Sequence, residues 1–551
     1  MTKQPLSTPY YSLEQQFGSF NWYRTAIDAT GPLTADNTFD YRLNFAYQTN
    51  DSFREFGDHE RIFVAPALRW NIGPRTYTTL QVEYSNISDT GLNYIPAIGN
   101  RPASVSRKRQ LGEPWGIIKE EYVLVSLDTE HELNSNWTLH HRFNASFAHL
   151  TMSDLGPYSP AAPNGDVDRF FFAQNLDGGD YQNNYFTSLN FIGKLKTGEL
   201  KHTLLLGGDY LYNEYRSTNA WIDSPDFATN VFRPVHVPRP NVPAARINTA
   251  EVVQPWFGLY LQDQVELPFH LHVLAGLRYD QAYGDNYHTP GSTGITTHTN
   301  KPTDSAITPR GGLLWRPIPE LSLYGSYTEN FGASNGLDPD GKSLNPQSAQ
   351  QWEVGMKTEL WNGRLATTFS YFELTKQNLP VPALAGLGRM ITIGEAETRG
   401  IEFDIAGEIL PGWNVIANYA YLPFAKITKD TQPERVGIRL HNAPRHNANL
   451  WTTFQFRGNK LNGLKLGAGI EVLSQREAFR NHNAAFSPKA PGYSIVNLMA
   501  SYPFNIGRYR ITTQLNVRNL LDKSYIANTD GWGGVMFGTP RMFLGSLRVE
   551  Y

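Results

Sequence analysis

Phe543-Leu544-Gly545-Ser546-Leu547-Arg548-Val549-Glu550-Tyr551, at the end of the 551-residue sequence, is the stretch that decides the fold. Successive side chains of a strand point to opposite faces, so Phe543, Leu547, Val549 and Tyr551 share one face and Ser546, Arg548 and Glu550 the other. The preceding candidate strand repeats the pattern, with Ile511, Thr513, Leu515 and Val517 opposed to Arg510, Thr512, Gln514, Asn516 and Arg518. Ile401, Phe403 and Ile405 likewise oppose Gly400, Glu402 and Asp404, and Trp137, Leu139, Phe143 and Phe147 oppose Thr138, His140, Arg142, Asn144 and Ser146. The stretches Tyr122 to Leu127 and Ala366 to Leu374 are less clean, with apolar residues on both faces. A soluble propeller or large sandwich would also show many strands with turn signals. Against it stand the polar faces, whose Arg, Glu, Asp and Asn no dry core can satisfy, and the aromatic ends of the apolar faces.

Working back through the chain, short turns rich in Gly, Pro, Asn and Asp recur at Gly31 to Asn37, Gly73 to Thr76, Asn134 to Trp137, Lys196 to Leu200 and Leu267 to His270. They continue at Pro317 to Glu320, Trp361 to Arg364, Leu410 to Trp413, Arg457 to Gly463 and Phe504 to Tyr509. Between them lie stretches of about 40 to 70 residues, room for two strands and a long loop at the far end. Ten such turns, with both chain ends on the short-turn side, predict an all-β fold: a closed antiparallel transmembrane β-barrel of about 22 strands. Closure leaves no unpaired sheet edge in lipid.

The composition agrees. The 29 Tyr, 30 Phe and 12 Trp suit a lipid-facing aromatic girdle, and a mean hydropathy of -0.42 suits a hydrated interior. No stretch reaches the roughly 18 to 20 apolar residues a spanning helix needs. Without cysteine there are no disulfides, thiolate metal sites or cysteine nucleophiles. The 48 basic and 51 acidic residues form no basic block, so no nucleic-acid partner is expected. Met1-Thr2-Lys3-Gln4-Pro5 contains no apolar run with a small-residue cleavage site, hence no export signal. There is no Gly-x-Ser-x-Gly elbow, no His-Glu-x-x-His pair and no phosphate-cradling loop, and the chain is not expected to be an enzyme. His131, His140 and His141 near Asp128 and Glu130 do not read as a metal site, because adjacent strand residues diverge.

Several segments, in order, resemble those of TonB-dependent siderophore receptors. They are Gly18-Ser19-Phe20 with Arg24 and Asp28 to Leu33; Leu344-Asn345-Pro346 with Trp352 to Lys357, including Glu353, Gly355 and Lys357; and Trp361-Asn362-Gly363-Arg364. Further on come Glu397-Thr398-Arg399-Gly400-Ile401-Glu402, Asn442 to His446, Asn516 to Tyr525 with Asn519, Asp522 and Tyr525, and Gly538-Thr539-Pro540-Arg541 before the strand ending at Tyr551. These residues read as strand and turn architecture: Gly363 for a hairpin, Pro540 for a strand start, Glu402 for an inward hydrated position. The resemblance implies an outer-membrane transporter for ferric siderophores, with short periplasmic turns, long extracellular loops, a lipid surround and energy from the TonB complex.

In that family a plug domain precedes the barrel, and Met1 to Pro5 resembles the plug's closing strand. Residues 1–10 are therefore expected to be the remnant of that junction and residues 11–551 the barrel, with plug, TonB-contacting segment and export signal absent from this chain. A plugless passive porin-like channel and a nonfunctional receptor fragment remain alternatives. No cofactor or protein-bound metal is expected, since the siderophore already coordinates the iron and must be held by its exterior through aromatic and polar groups. The loops are expected to supply Tyr158, Phe170, Phe171, Phe172 and Tyr181; Trp221, Phe227 and Phe232; and Tyr283 and Tyr287, with Phe331 and Trp532 near other outer mouths. Arg233, Arg239, Arg246 and Lys301 would attract an anionic complex.

Overall fold

The computed structural model describes residues 3–91, 94–333, 344–382, 390–430, 433–458, 461–479, 486–531 and 533–551. Twenty-three strand segments form one antiparallel sheet that closes on itself. Two of them, Arg169–Gln174 and Tyr181–Thr197, lie end to end between the same neighbours, Trp137–Pro157 and Leu200–Asp223. They are one wall strand interrupted at 175–180, and the barrel has 22 strands. The first strand, Tyr10–Gly18, pairs with the last, Met542–Glu550, from Ser12↔Glu550 to Gly18↔Leu544.

Nine of the ten predicted short turns are turns at one end of the barrel, and the tenth, Arg457 to Gly463, joins neighbouring wall strands at the same end with residues 459–460 outside the described residues. In the turn at 135–136, Asn134 Oδ1 accepts the amides of Asn136 and Trp137 at 2.9 and 3.1 Å, the side chain standing in for a backbone turn partner. At Trp361–Arg364, Trp361, Asn362 and Gly363 have φ of +54, +59 and +78°, and only Gly363 adopts this region without a Cβ penalty. The far end is uneven. Its long segments include 91–116, 158–168, 224–247, 430–445, 474–492 and 519–541, whereas 19–21 closes the first hairpin in three residues.

Alternation sorts the wall as the sequence reading expects. Leu206, Tyr210, Leu259, Leu261, Leu277, Ile307, Leu313, Trp352, Val354, Leu515 and Phe543 are exposed on the outside. Near the short turns the girdle is built of pairs such as Phe39–Trp70, stacked at 5.9 Å, and Tyr11–Tyr551 at 6.0 Å. No helix among the described residues is long and apolar enough to cross a membrane.

The inner face carries charge in hydrogen-bonded groups. Arg278 donates to Asp209 and Asp280 at 2.7 Å, and Trp256 Nε1 donates to Asp280 at 2.7 Å. Arg42 and Lys3 converge on Asp28 at 2.7 Å each, and Arg548 pairs with Glu14 across the closing seam. Register aligns Tyr324, Gly355, Ser370 and Glu402 in one row across four strands. Gly355 is required there: a Cβ would stand 2.5 Å from the Phe369 carbonyl and 2.8 Å from the Tyr324 ring. Lys357 sits over the same ring at 5.1 Å.

Candidate ligand-binding mouth

The loop end is a built structure with its own core. Ile95, Ala103 and Leu111 of segment 91–116 pack with Ala161 and Val167, with Val231, with Ala478 and Ala490, and with Ile526 and Val535, all nearly solvent-free. Bridges tie the segments edge to edge at Ile95↔Val535 and Ile98↔Ala161. Arg107 clamps Asp522 through two bonds of 2.9 Å, fastening 91–116 to 519–541. Arg541 donates its backbone N–H to Asp522 as well, at 2.9 Å. The Arg107 guanidinium, foremost, holds the Asp522 carboxyl down at about 2. A long surface loop left alone would pay ordering entropy without burying anything, so pooling five loops is what gives this end a fixed shape.

One contact between these segments is a fully buried ion pair. Arg169 lies 2.7 Å from Glu113, both side chains fully enclosed. Arg169 also donates to the carbonyls of Phe227, Leu111 and Val235 at 2.7, 3.0 and 3.0 Å. Glu113 accepts the Val237 amide and faces His236 Nδ1, each at 3.2 Å. Every hydrogen-bonding arm of the guanidinium engages segments 91–116 or 224–247, which compensates the desolvation of the pair.

Most sequence-predicted contacts lie on strand ends, a correction to their expected place in loops. Phe170, Phe171 and Phe172 belong to Arg169–Gln174, Trp221 to Leu200–Asp223, Tyr181 to Tyr181–Thr197, Tyr283 and Tyr287 to Leu271–Thr289, and Phe331 to Leu321–Gly332. The strands simply outlast the apolar band. Phe171 is corrected further. It is 0% exposed, enclosed with Leu155, Phe227, Trp115 and Val237, and its aromatic surface is spent on packing.

Its neighbours in sequence face the other way and form a half-buried aromatic group. Phe170 stacks on Trp221 at 4.0 Å, Phe172 meets Trp221 edge-on at 5.6 Å, and Tyr158 leans on Phe170 at 4.9 Å. Phe170 can lie flat only because residue 156 is glycine, whose Cβ would come within 2.7 Å of the ring. Tyr158 donates to Asp223 at 2.6 Å and accepts from Trp221 Nε1 at 3.3 Å. Burial first, and the Asp223 bond second, push its hydroxyl up to about 12.

The other predicted contacts are scattered. Phe232 is 43% exposed and covers Gly165, and Arg233 is exposed beside it. Arg239 and Arg246 are exposed too. Tyr287 stacks on His298 at 4.5 Å in a different hairpin. Phe331 meets Trp256, three wall strands away, at 5.4 Å. Its strand parts from Thr297–Ile318 above Arg310↔Thr328 and leans toward the lumen-facing Trp256. Trp532 and the Lys301 side chain lie outside the described residues.

The motif residues hold turns and strands. Asn519, at φ +49° and 2% exposed, donates to the Lys523 and Thr539 carbonyls at 2.8 and 3.0 Å and accepts the Lys523 amide at 2.9 Å. Tyr525 leans on Tyr493 with ring centroids 4.6 Å apart and rests over Gly538. Gly400 leaves room for Leu422 and Phe372, Arg364 caps the Trp361 carbonyl at 3.2 Å, and Arg399 pairs with Glu397 beneath Phe424. Pro540 precedes the last strand by two residues. Sequence reasoning missed Glu113, Arg107 and Arg169, which no local pattern distinguishes from solvated charges. His140 and Arg142 share Asp128 while His141 turns to Thr187, so the histidines diverge.

Residues 69–520 match the family described as "TonB dependent receptor-like, beta-barrel". The metal-pseudopaline receptor CntO of Pseudomonas aeruginosa is 29% identical over 555 residues, covering 100% of this chain and 77% of that protein. The ferrichrome outer membrane transporter/phage receptor of Escherichia coli is 25% identical, with 100% and 75% covered. Among solved structures, the siderophore receptor PiuA of Acinetobacter baumannii superposes with a TM-score of 0.86 at 20% identity, over 100% of this chain and 82% of that one. BauA, the ferric preacinetobactin receptor of the same organism, gives 0.84 at 20% identity, over 100% and 81%.

Proposed function

The chain belongs to the TonB dependent receptor-like β-barrel family of transport receptors, which are not enzymes, and from that premise we propose that it serves uptake of a ferric siderophore across the bacterial outer membrane, driven by TonB. The observation that carries this reading is the pooled core of the outer loops, from Ile95 to Val535, with the Arg169–Glu113 pair beside it. A passive conduit needs only an open bore. A receptor needs fixed surfaces at its mouth, because preorganisation reduces the ordering cost of binding. The aromatic group of Tyr158, Phe170, Phe172 and Trp221 offers flat apolar area with a polar edge, the chemistry that grips a chelate already saturated around its metal.

Tight capture entails slow release, which is why an energy input belongs to this reading. The test has two arms. Cells making the protein are expected to accumulate radioactive iron from a ferric siderophore, and to stop when the TonB system is disabled. The purified protein in a planar bilayer is expected to stay electrically quiet while binding that complex. A large steady conductance without binding replaces this reading with the passive channel.

A further inference from the structure

Beside Tyr525, where segments 91–116, 474–492 and 519–541 meet, the mouth holds a cavity of about 850 Å³. Its volume falls in the range of small-molecule sites. Among the described residues three cations line it, Arg101, Lys489 and Lys523, and no Asp or Glu does. Lys489 is partly offset by Glu477 at 3.5 Å. Arg101 and Lys523 have no carboxylate partner among the described residues. The chain as a whole carries a net charge of -3, so a cavity lined only by positive charge is a local arrangement and not a reflection of a basic protein. Tyr525 and Phe537 give it two aromatic surfaces, and Ser104, Ser487 and Ser524 give it hydroxyls.

The walls are fixed from behind. Ile526 and Ala103 belong to the pooled loop core, the Ser487 amide donates to Asn100 at 2.7 Å, and the Arg107–Asp522 clamp stands next to Lys523. Arg101, Lys489 and Lys523 are exposed side chains carried on these fixed walls, so an anion entering the concavity meets positive charge from three separate segments.

We propose that this cavity selects a metal chelate of net negative charge, one that leaves free carboxylate oxygens on its exterior, with Arg101 and Lys523 as the residues that impose the choice. This rests on the receptor reading above and names its substrate class. A guanidinium offers paired donors to a carboxylate and the lysine a point charge, while Tyr525 and Phe537 take the apolar backbone of the chelator. A neutral chelate of equal size gains only the aromatic contacts.

The experiment uses the full chain in detergent micelles and follows quenching of intrinsic fluorescence. The probes are anionic iron(III) complexes of hydroxycarboxylate and aminopolycarboxylate chelators, a neutral ferric trihydroxamate, and inorganic phosphate. At least one anionic complex is expected to bind tenfold or more tighter than the neutral one, and to weaken as salt is raised. Arg101→Gln with Lys523→Gln is expected to remove that advantage, a loss of tenfold or more, while shifting the neutral complex less than twofold. Retained heat-modifiable gel mobility certifies that the variant is folded. Equal or tighter binding of the neutral complex, or an unaffected double variant, overturns the proposal and leaves the receptor reading intact. Phosphate alone competing at the same concentration overturns it too, marking a general anion site. Absence of binding by any complex together with steady bilayer conductance removes both readings.

Discussion

Arg169 and Glu113 meet at 2.7 Å with neither side chain open to solvent, and around them the Leu111, Phe227 and Val235 carbonyls and the Val237 amide find their partners. Removing one member strands the other charge in a dry site, at a cost of about 3 to 5 kcal/mol. Glu113→Gln or Arg169→Leu is therefore expected to loosen segments 91–116 and 224–247 while the barrel wall persists. Limited proteolysis should cut those segments first in either variant. Replacing both residues by apolar ones is not expected to restore protection, because four backbone groups still lose their partners. Cleavage rates equal to those of the unmodified protein would refute this account.

The clamp between Arg107 and Asp522 has a pH limit. The carboxyl is held at about 2, below its ordinary value, so its contribution is complete above about pH 4 and disappears as the pH falls through about 2. Asp522→Asn should show at neutral pH the loosening that the unmodified protein shows only near pH 2. Amide exchange of Ile526–Thr529, corrected for intrinsic rates, measures it. Protection that declines between pH 7 and 5 would contradict the sign.

Gly355 tests the inner wall. A valine there meets the Phe369 carbonyl and the Tyr324 ring, contacts too close to relax without moving backbone. Gly355→Val is expected to cost about 1 to 3 kcal/mol, read as a lower urea midpoint for loss of the heat-modifiable form. Tyr324→Ala in the same background should recover part of the loss.

Lipid and lumen faces can be compared at adjacent positions. Leu261 is 54% exposed on the outer face, and Gln262 follows on the inner one. Leu261→Arg near the bilayer midplane is expected to cost about 2 to 4 kcal/mol, and Gln262→Arg far less. Refolding into vesicles across a urea series decides between them, and equal costs would mean the faces are misassigned.

Much of this architecture is legible without coordinates. The period of two in Phe543 to Tyr551 and the turn chemistry of segments such as Asn134 to Trp137 are local properties, so strand count and facing follow from the chain itself. The mouth is not local. Phe170, Phe171 and Phe172 are identical residue types in a row, and what separates them is whether segments more than 50 residues away cover their face. The interruption at 175–180 reads as part of a loop because Asp177-Gly178-Gly179-Asp180 carries turn residues. Only pairing shows it to be an outpouching of a continuous strand, stitched back by Asp180 to the Thr218 amide at 2.7 Å. Arg101, Lys489 and Lys523 lie on three segments spread over more than 400 residues, and nothing short of the fold brings them to one wall.

The seam between Tyr10–Gly18 and Met542–Glu550 bears on how the molecule comes to exist. Every other wall strand finds its mate beside it in the chain, so hairpins can zip in sequence at little loop-closure cost, whereas this joint unites partners such as Tyr10 and Glu550, 540 positions apart. Of all the pairings in the wall, this joint carries the largest loop-closure cost. Until it is made, two raw margins with unpaired amides await each other, and a rival strand offered at that moment competes with the chain's own beginning for the place beside its end.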